Sequence, residues 1–273
     1  VINTVSELKR HLGDAGLDYR IIVVDDCSTD RTSALLSEVI DNQTSVIRHG
    51  RNRGYGASLK TGIRAAETPL VVITDADGTY PNHRIPELAL RLGNRDMIVG
   101  SRTGQTVKIP LIRRPAKWLI GALANYLTRT RIPDINSGLR VFRREVLMNY
   151  LSILPDGFSF TTTITLAMLT CGHEFEYVPI NYAARIGKSK IRPIRDTLNF
   201  IQLIIRTVLL FAPLKIFLPL ASLLFFSSIG VFIYSVFWLP RVLDTTVMLL
   251  IVGALQILSI GLIADMVNRR LSR

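Results

Sequence analysis

Two long apolar stretches near the C-terminus dominate the pattern of hydrophobic and polar positions. Residues 216–238 and 245–264 contain no charged side chain, and only the short link 239–244 separates them. An α-helix rises about 1.5 Å per residue, so each stretch would span roughly 30–35 Å, which matches the hydrocarbon core of a bilayer. Because backbone polar groups must be satisfied inside a membrane, the pattern predicts a hairpin of two membrane-spanning helices.

The sequence before this hairpin alternates between short apolar, β-branched runs and amphipathic segments. The apolar runs predict β-strands at 19–24, 45–48, 70–74, 97–100, 138–143 and 174–183. The amphipathic segments predict helices at 1–13, 31–40, 54–67, 83–92, 113–130, 160–170 and 195–211. This alternation indicates an α/β domain with a mainly parallel sheet and helices on both faces, whose ligands bind beyond the carboxyl ends of the strands.

The same pattern predicts how the chain divides. We expect an α/β domain at 1–192, an interfacial helix at 193–212 and the hairpin with a basic tail at 213–273. The formal net charge is +12 and the pI is about 10.1. The cations cluster on both sides of the apolar region, where anionic headgroups lie, at Arg185, Lys188, Lys190, Arg192, Arg195, Arg269, Arg270 and Arg273. By the positive-inside rule both ends of the hairpin face the cytoplasm.

Two acidic pairs each follow a predicted strand. Asp75 and Asp77 flank one alanine, and Gly78 makes a turn easy at that point. Asp25 and Asp26 end an earlier strand in the same way. Either pair could simply cap a helix or mark a turn. However, carboxylates that cluster at one sheet edge repel one another, and Mg²⁺ or Mn²⁺ bound to a diphosphate would relieve that repulsion.

Three further segments have both a structural and a functional interpretation. Residues 52–56 form a glycine turn before a helix, which we favour, or cradle a phosphate. Residues 134–140 are a polar loop, or they bring Asp134 into the cavity. Residues 185–190 hold three cations beside a glycine, and they bind lipid headgroups, substrate phosphate or both. The four histidines lack ligand spacing, and Cys27 and Cys171 are expected to stay reduced.

Together these segments resemble the family 2 glycosyltransferases. The match is best to the branch of dolichol-phosphate mannosyltransferase and bacterial polyprenyl-phosphate glycosyltransferases, and it covers most of the chain. It rests on 23–30, 75–81, 100–102, 134–140 and 185–190, in that order and spacing. The terminal hairpin is similar to that of the bacterial members with two spans.

The resemblance implies a GT-A fold, Rossmann-like, and inverting transfer from a GDP- or UDP-linked sugar to a polyprenyl phosphate such as undecaprenyl or dolichyl phosphate. It implies that Asp25 and Asp26 lie near the nucleoside. Asp75 and Asp77 would hold Mg²⁺ or Mn²⁺ on the diphosphate, with Asp77 as a catalytic residue. Arg102 would line the sugar and phosphate region.

The acceptor side follows from the same resemblance. Asp134 is the candidate catalytic base, and Arg140 is expected beside Arg102 in the sugar and phosphate region. Arg185, Ser189 and Lys190 would close over the lipid phosphate. The membrane, the lipid and the nucleotide sugar are therefore the expected partners, a homo-oligomer stays open, and nucleic acid is not expected.

The family opens with a strand of the type Val-Ser-Val-Val-Ile-Pro-Ala-Tyr-Asn-Glu, and this sequence starts at the helix that follows it. We therefore expect the sheet to lack that strand, and the polypeptide made alone to be inactive or poorly folded, while the full-length parent is active.

Three other classes of protein fit the sequence less well. A processive polysaccharide synthase would carry a Gln-x-x-Arg-Trp motif, which is absent. A non-catalytic membrane scaffold would not need the acidic pairs. A nucleic-acid binder would interleave aromatic residues with basic ones. The sequence leaves open the sugar (mannose, glucose, a 4-amino sugar or an N-acetylhexosamine), the nucleotide and the polyprenol.

Overall fold

The computed structural model describes residues 1–104, 125–126, 130, 132–183, 202 and 205–271, with side chains in the last segment up to residue 267. The chain divides into two compact units, Val1–Phe200 and Ile201–Arg273. Most of the predicted helix at 113–130 and about half of the one at 195–211 lie outside the described residues. Arg185, Ser189 and Lys190 also lie outside them.

The first unit contains six strands and six α-helices among its described residues. The helices are α1 (Ile2–Asp14), α2 (Thr32–Ser37), α3 (Tyr55–Ala65), α4 (Ile85–Arg91), α5 (Arg144–Tyr150) and α6 (Phe160–Thr170), with a 3₁₀ turn at Asn82–Arg84 before α4. The strands are β1 (Ile21–Asp25), β2 (Thr44–Arg48), β3 (Leu70–Ile73), β4 (Met97–Ser101), β5 (Arg140–Arg143) and β6 (Phe175–Pro179). Every predicted strand is present. The sequence did not predict α5, because two helical turns are too short to show a periodic apolar stripe.

The strands form two sheets. β1 and β2 pair in parallel, and the second sheet has the order β3-β5-β4-β6. β4 and β6 are parallel, whereas β5 runs antiparallel to both β3 and β4. The α/β class is confirmed. The second sheet is mixed because β5 runs in the opposite direction to the other three strands. Among the described residues β1 pairs only with β2 and β3 only with β5, so each has one unpaired edge.

One hydrophobic core joins the two sheets. Ile98 of β4 and Val141 of β5 are fully buried, and they belong to one cluster with Leu88 of α4 and Ile21 of β1. All five residues of β4 are buried, so both faces of the sheet are covered. Since β3 and β4 both run antiparallel to β5, their carboxyl ends lie at the same edge, where the polar side chains of the candidate site collect.

The second unit is a helical hairpin. It consists of α7 (Leu214–Trp238) and α8 (Asp244–Leu271), of 25 and 28 residues. Both helices are long and apolar enough to cross a membrane, and most of their apolar surface faces outward. They pack closely at Gly261, where a Cβ atom would lie 2.5 Å from Cβ of Phe217. The predicted bounds 216–238 and 245–264 fall inside these helices.

Candidate active site

The first acidic pair organises the loops that follow β1. Asp25 is buried, and its Oδ1 accepts the Ser28 N–H at 2.9 Å. Asp26 accepts the N–H groups of Arg53 and Gly54 at 2.8 and 2.7 Å, and His49 Nδ1 at 2.7 Å. Burial raises the pKa of Asp26, but these hydrogen bonds outweigh burial and hold it below its ordinary value. Asp26 is therefore an ionised carboxylate that fixes the entry to α3.

The glycine-rich segment before α3 is a turn and not an open phosphate cradle. The Arg53 and Gly54 N–H groups are taken by Asp26, and the Ala57 N–H donates to the Asp156 carbonyl at 3.0 Å. A Cβ atom on Gly56 would overlap the carbonyl of Pro155, so the 155–157 backbone lies directly on this turn. The geometry thus favours the structural interpretation of residues 52–56.

The second acidic pair lies just beyond β3. Asp77 Oδ1 accepts the Thr79 N–H at 3.1 Å and the Thr79 hydroxyl at 2.6 Å. Asp75 Oδ1 accepts the Tyr55 hydroxyl at 3.1 Å. Gly78 adopts φ 72°, which turns the backbone immediately after the pair. Both carboxylates therefore sit on a tight turn at the carboxyl edge of the sheet, which we call the acidic turn (residues 75–79).

Arg102 and Asp134 form a bidentate ion pair at the same edge. The Arg102 Nε and Nη2 atoms lie 2.8 and 2.9 Å from the two Asp134 oxygens, and the Arg102 N–H adds a third bond at 3.0 Å. Burial raises the pKa of Asp134, and the contacts with Arg102 outweigh that effect and lower it. The carboxylate is consequently a poor proton acceptor at neutral pH.

Arg140 lies beneath the site and does not line it. Its side chain is fully buried, contrary to the expectation that it borders the sugar and phosphate region. The guanidinium donates to the carbonyls of Ser137 and Ile135 at 2.8 and 2.9 Å, and to the Thr165 hydroxyl at 2.6 Å. Burial lowers its pKa. Arg140 therefore supports the 134–138 loop, and we treat it as a positioning residue.

Two tyrosines that the sequence did not single out connect these parts. The Tyr80 hydroxyl accepts the Gly138 N–H at 2.7 Å, and the Tyr80 and Tyr182 rings meet edge to face at 5.1 Å. The Arg102 guanidinium lies over the Tyr182 ring at 5.3 Å. The only sequence signal was their position, since Tyr80 follows the acidic turn and Tyr182 precedes the basic segment 185–190.

The strand β6 leads directly to the acidic turn. The Ala183 N–H donates to the Thr79 carbonyl at 3.0 Å. Gly104 lies close by, because its N–H donates to the Ile180 carbonyl at 3.3 Å. A cavity of about 770 Å³ opens beside this junction and reaches α1. Tyr182, which directly precedes Ala183, contacts both Tyr80 and Arg102. Through these contacts the structure brings Asp75, Asp77, Arg102 and Asp134 together near the described residues that precede 184–201.

Two comparisons with protein families identify this architecture. Residues 1–151 match the family model "Glycosyl transferase family 2", and residues 212–269 match "GtrB C-terminal hairpin". The first match covers more than half of the chain. The chain belongs to glycosyl transferase family 2, and it is a glycosyltransferase.

Individual proteins agree with that assignment. The chain is 30% identical over 174 residues to a dolichyl-phosphate hexose transferase of Haloferax volcanii, covering 63% of this chain and 74% of that protein. It is 27% identical over 203 residues to an undecaprenyl-phosphate mannosyltransferase of Micrococcus luteus, covering 69% and 84%. Glucosyl-3-phosphoglycerate synthase of Mycobacterium tuberculosis, solved with Mn²⁺, UDP and phosphoglyceric acid, superimposes with a TM-score of 0.53 at 20% identity, covering 76% and 72%. At that identity the likeness establishes the fold.

Proposed function

We propose that this protein transfers a hexose, with inversion, from a GDP- or UDP-linked sugar to a polyprenyl phosphate such as undecaprenyl or dolichyl phosphate. The names of the two relatives above state such lipid phosphates. The hairpin would anchor the first unit where the lipid phosphate lies. The cations on both sides of the hairpin favour a cytosolic catalytic unit and C-terminus.

One observation carries the proposal: the acidic turn contacts the residue from which the basic segment departs. Ala183 is hydrogen-bonded to Thr79, which in turn bonds Asp77. Arg185 follows Ala183 by two positions in the sequence. A donor diphosphate at the acidic turn and an acceptor phosphate at the basic segment would therefore be neighbours, as transfer between them requires.

The acidic turn fits a divalent ion that is shared with a diphosphate. Asp75 and Asp77 supply the hard oxygen ligands that Mg²⁺ and Mn²⁺ prefer. In the part of the chain that the structure describes, no three His, Cys, Asp or Glu side chains converge on a metal site. This suits an ion that takes its other ligands from substrate phosphates and water. When bound, the ion would neutralise the charge of the departing diphosphate.

The acceptor needs little help from a base. A phosphate monoester has a second pKa of about 6, so it is largely dianionic at neutral pH. We therefore propose that Asp134 holds Arg102 in place and does not take a proton. Arg102, with Arg185, Ser189 and Lys190, would bring the two anionic substrates together through charge-assisted hydrogen bonds. Asp25 would lie on the nucleoside side.

A donor screen tests the function. Membranes that contain the protein would be incubated with radiolabelled GDP- and UDP-sugars, undecaprenyl or dolichyl phosphate, and Mg²⁺ or Mn²⁺. We expect one donor to label the lipid fraction, and Asp77→Ala to abolish labelling while membrane insertion is kept. Asp18→Ala, which removes an exposed carboxylate, is the matched control and should label normally. Binding of the nucleotide sugar without release of nucleotide would instead favour a scaffold.

A further inference from the structure

The carboxylate of Asp75 is held from two sides by residues that have no assigned role. On one side the Tyr55 hydroxyl donates to Asp75 Oδ1 at 3.1 Å. On the other side lies the bare Cα of Gly138. A Cβ atom there would be 2.9 Å from Oδ1 and 3.0 Å from Oδ2 of Asp75. The rotation of this carboxylate is thus fixed by a donor on one flank and by a space limit on the other.

Tyr55 is itself fixed in position. It begins α3 directly after Gly54, which adopts φ 99°. Its ring stacks on Phe158 with centroids 5.8 Å apart and planes 13° from parallel. Phe158 is 87% exposed, so this stack lies at the protein surface, at the rim of the site.

Gly138 is constrained by space and not by backbone conformation. It is not among the described residues with positive φ, so alanine would fit its backbone. Its N–H donates to the Tyr80 hydroxyl at 2.7 Å, which fixes the distance between the 134–138 loop and the acidic turn. A methyl group added here would therefore have to displace the Asp75 carboxylate.

We propose that Tyr55 is a positioning residue for the metal-binding carboxylate, and that it works with Gly138 and Phe158 to fix the orientation of Asp75. This rests on the proposed metal role of Asp75 and Asp77. Carboxylates that bind metals depend on neighbouring hydrogen bonds for their orientation, and loss of such a bond costs about 10–100-fold in metal affinity. A purely structural role for Tyr55 would change stability and leave metal affinity unaltered.

Direct measurement of Mn²⁺ binding separates these roles. Free Mn²⁺ would be followed by electron paramagnetic resonance as it is titrated into the purified, membrane-embedded protein with UDP, and in parallel with GDP. We expect Tyr55→Phe, which removes only the hydroxyl, to weaken Mn²⁺ binding about tenfold. Tyr19→Phe is the matched control, since it removes a 3.3 Å bond to the Lys9 carbonyl away from the acidic turn and should bind Mn²⁺ normally.

Two more variants test the other two residues of this arrangement, Gly138 and Phe158. Gly138→Ala should weaken Mn²⁺ binding while Tyr55 is intact. Phe158→Leu should weaken it less, and it should have no further effect on the Tyr55→Phe background, because the stack acts only through the hydroxyl.

The outcomes are distinguishable. Mn²⁺ binding that is lost in Asp77→Ala but normal in both Tyr55→Phe and Gly138→Ala would overturn this inference alone. Mn²⁺ binding that Asp77→Ala leaves unchanged would overturn the metal assignment, and this inference with it.

Discussion

Replacing Asp134 by asparagine tests the ion pair at the centre of the site. Asp134 and Arg102 are 11% and 26% exposed, and their two closest N···O distances are 2.8 and 2.9 Å. Removing one partner of a buried pair costs about 3–5 kcal/mol, and the partial exposure of Arg102 lowers this to about 2–3 kcal/mol. For a unit of this size the melting temperature should fall by about 4–12 °C.

The pH dependence of the stability difference between wild type and Asp134→Asn gives a second check. The pKa of Asp134 is lowered on folding, so its stabilisation is present above the unfolded-state pKa, about 3.9, and is lost as the pH falls through the lower folded-state value. Thermal unfolding of wild type and Asp134→Asn should therefore differ fully at pH 7, and the gap should close in acid.

A double variant separates the loss of the ion pair from the cost of leaving the Arg102 charge unpaired. The double variant Asp134→Asn with Arg102→Met should be more stable than Asp134→Asn alone, because no buried guanidinium is left without a partner. Equal melting temperatures of wild type and Asp134→Asn at pH 7 would mean that the ion pair does not stabilise the fold. A pH–rate profile that loses its acidic limb in Asp134→Asn would restore the base role.

Three other variants have defined outcomes. Arg140→Met should lower the melting temperature through a loss of about 3 kcal/mol or more, because it leaves the carbonyls of the 134–138 loop without donors; an unchanged melting temperature would contradict its supporting role. Cys27 has φ 63°, so Cys27→Gly should relieve strain and raise stability by up to about 1 kcal/mol in chemical denaturation, with Cys171→Ala as the neutral control. Gly261→Leu should overlap Phe217 and destabilise the hairpin, seen as greater protease sensitivity in membranes, whereas Gly230→Leu, in open space, should not.

The sequence predicted the parts of the site that follow directly from strand ends. Asp75 and Asp77 could be placed at the carboxyl edge because a buried strand ends just before them. The burial of Arg140 was missed, although strand alternation puts it on the same face as the buried Phe142. A charged residue at the start of a strand is usually expected to be exposed. Here three hydrogen bonds, to Ser137, Ile135 and Thr165, stabilise the buried guanidinium.

Contacts between distant segments could not be predicted. Nothing local in the sequence signals that Tyr55 reaches Asp75, or that Asp26 uses the Arg53 and Gly54 amides that otherwise suggest a phosphate cradle. The antiparallel direction of β5 is likewise a property of how the chain returns to the sheet, and periodicity carries no information on it.

We propose that a divalent ion at the acidic turn lies close to the basic segment. Electron paramagnetic resonance of bound Mn²⁺ and a nitroxide attached at Arg185→Cys measures this directly. The native thiols would be replaced by Cys27→Gly and Cys171→Ser. The reference label is Leu90→Cys, which is exposed near the end of α4. Because α4 follows β3 and precedes β4, and these two strands run in the same direction, α4 leads away from the acidic turn.

Two residues of chain beyond Ala183 add at most about 8 Å between Cα atoms. We therefore expect strong Mn²⁺-dependent broadening of the label at 185, little at 90, and none at either position in Asp77→Ala. Equal, weak broadening at 185 and 90 in a protein that binds Mn²⁺ would contradict it.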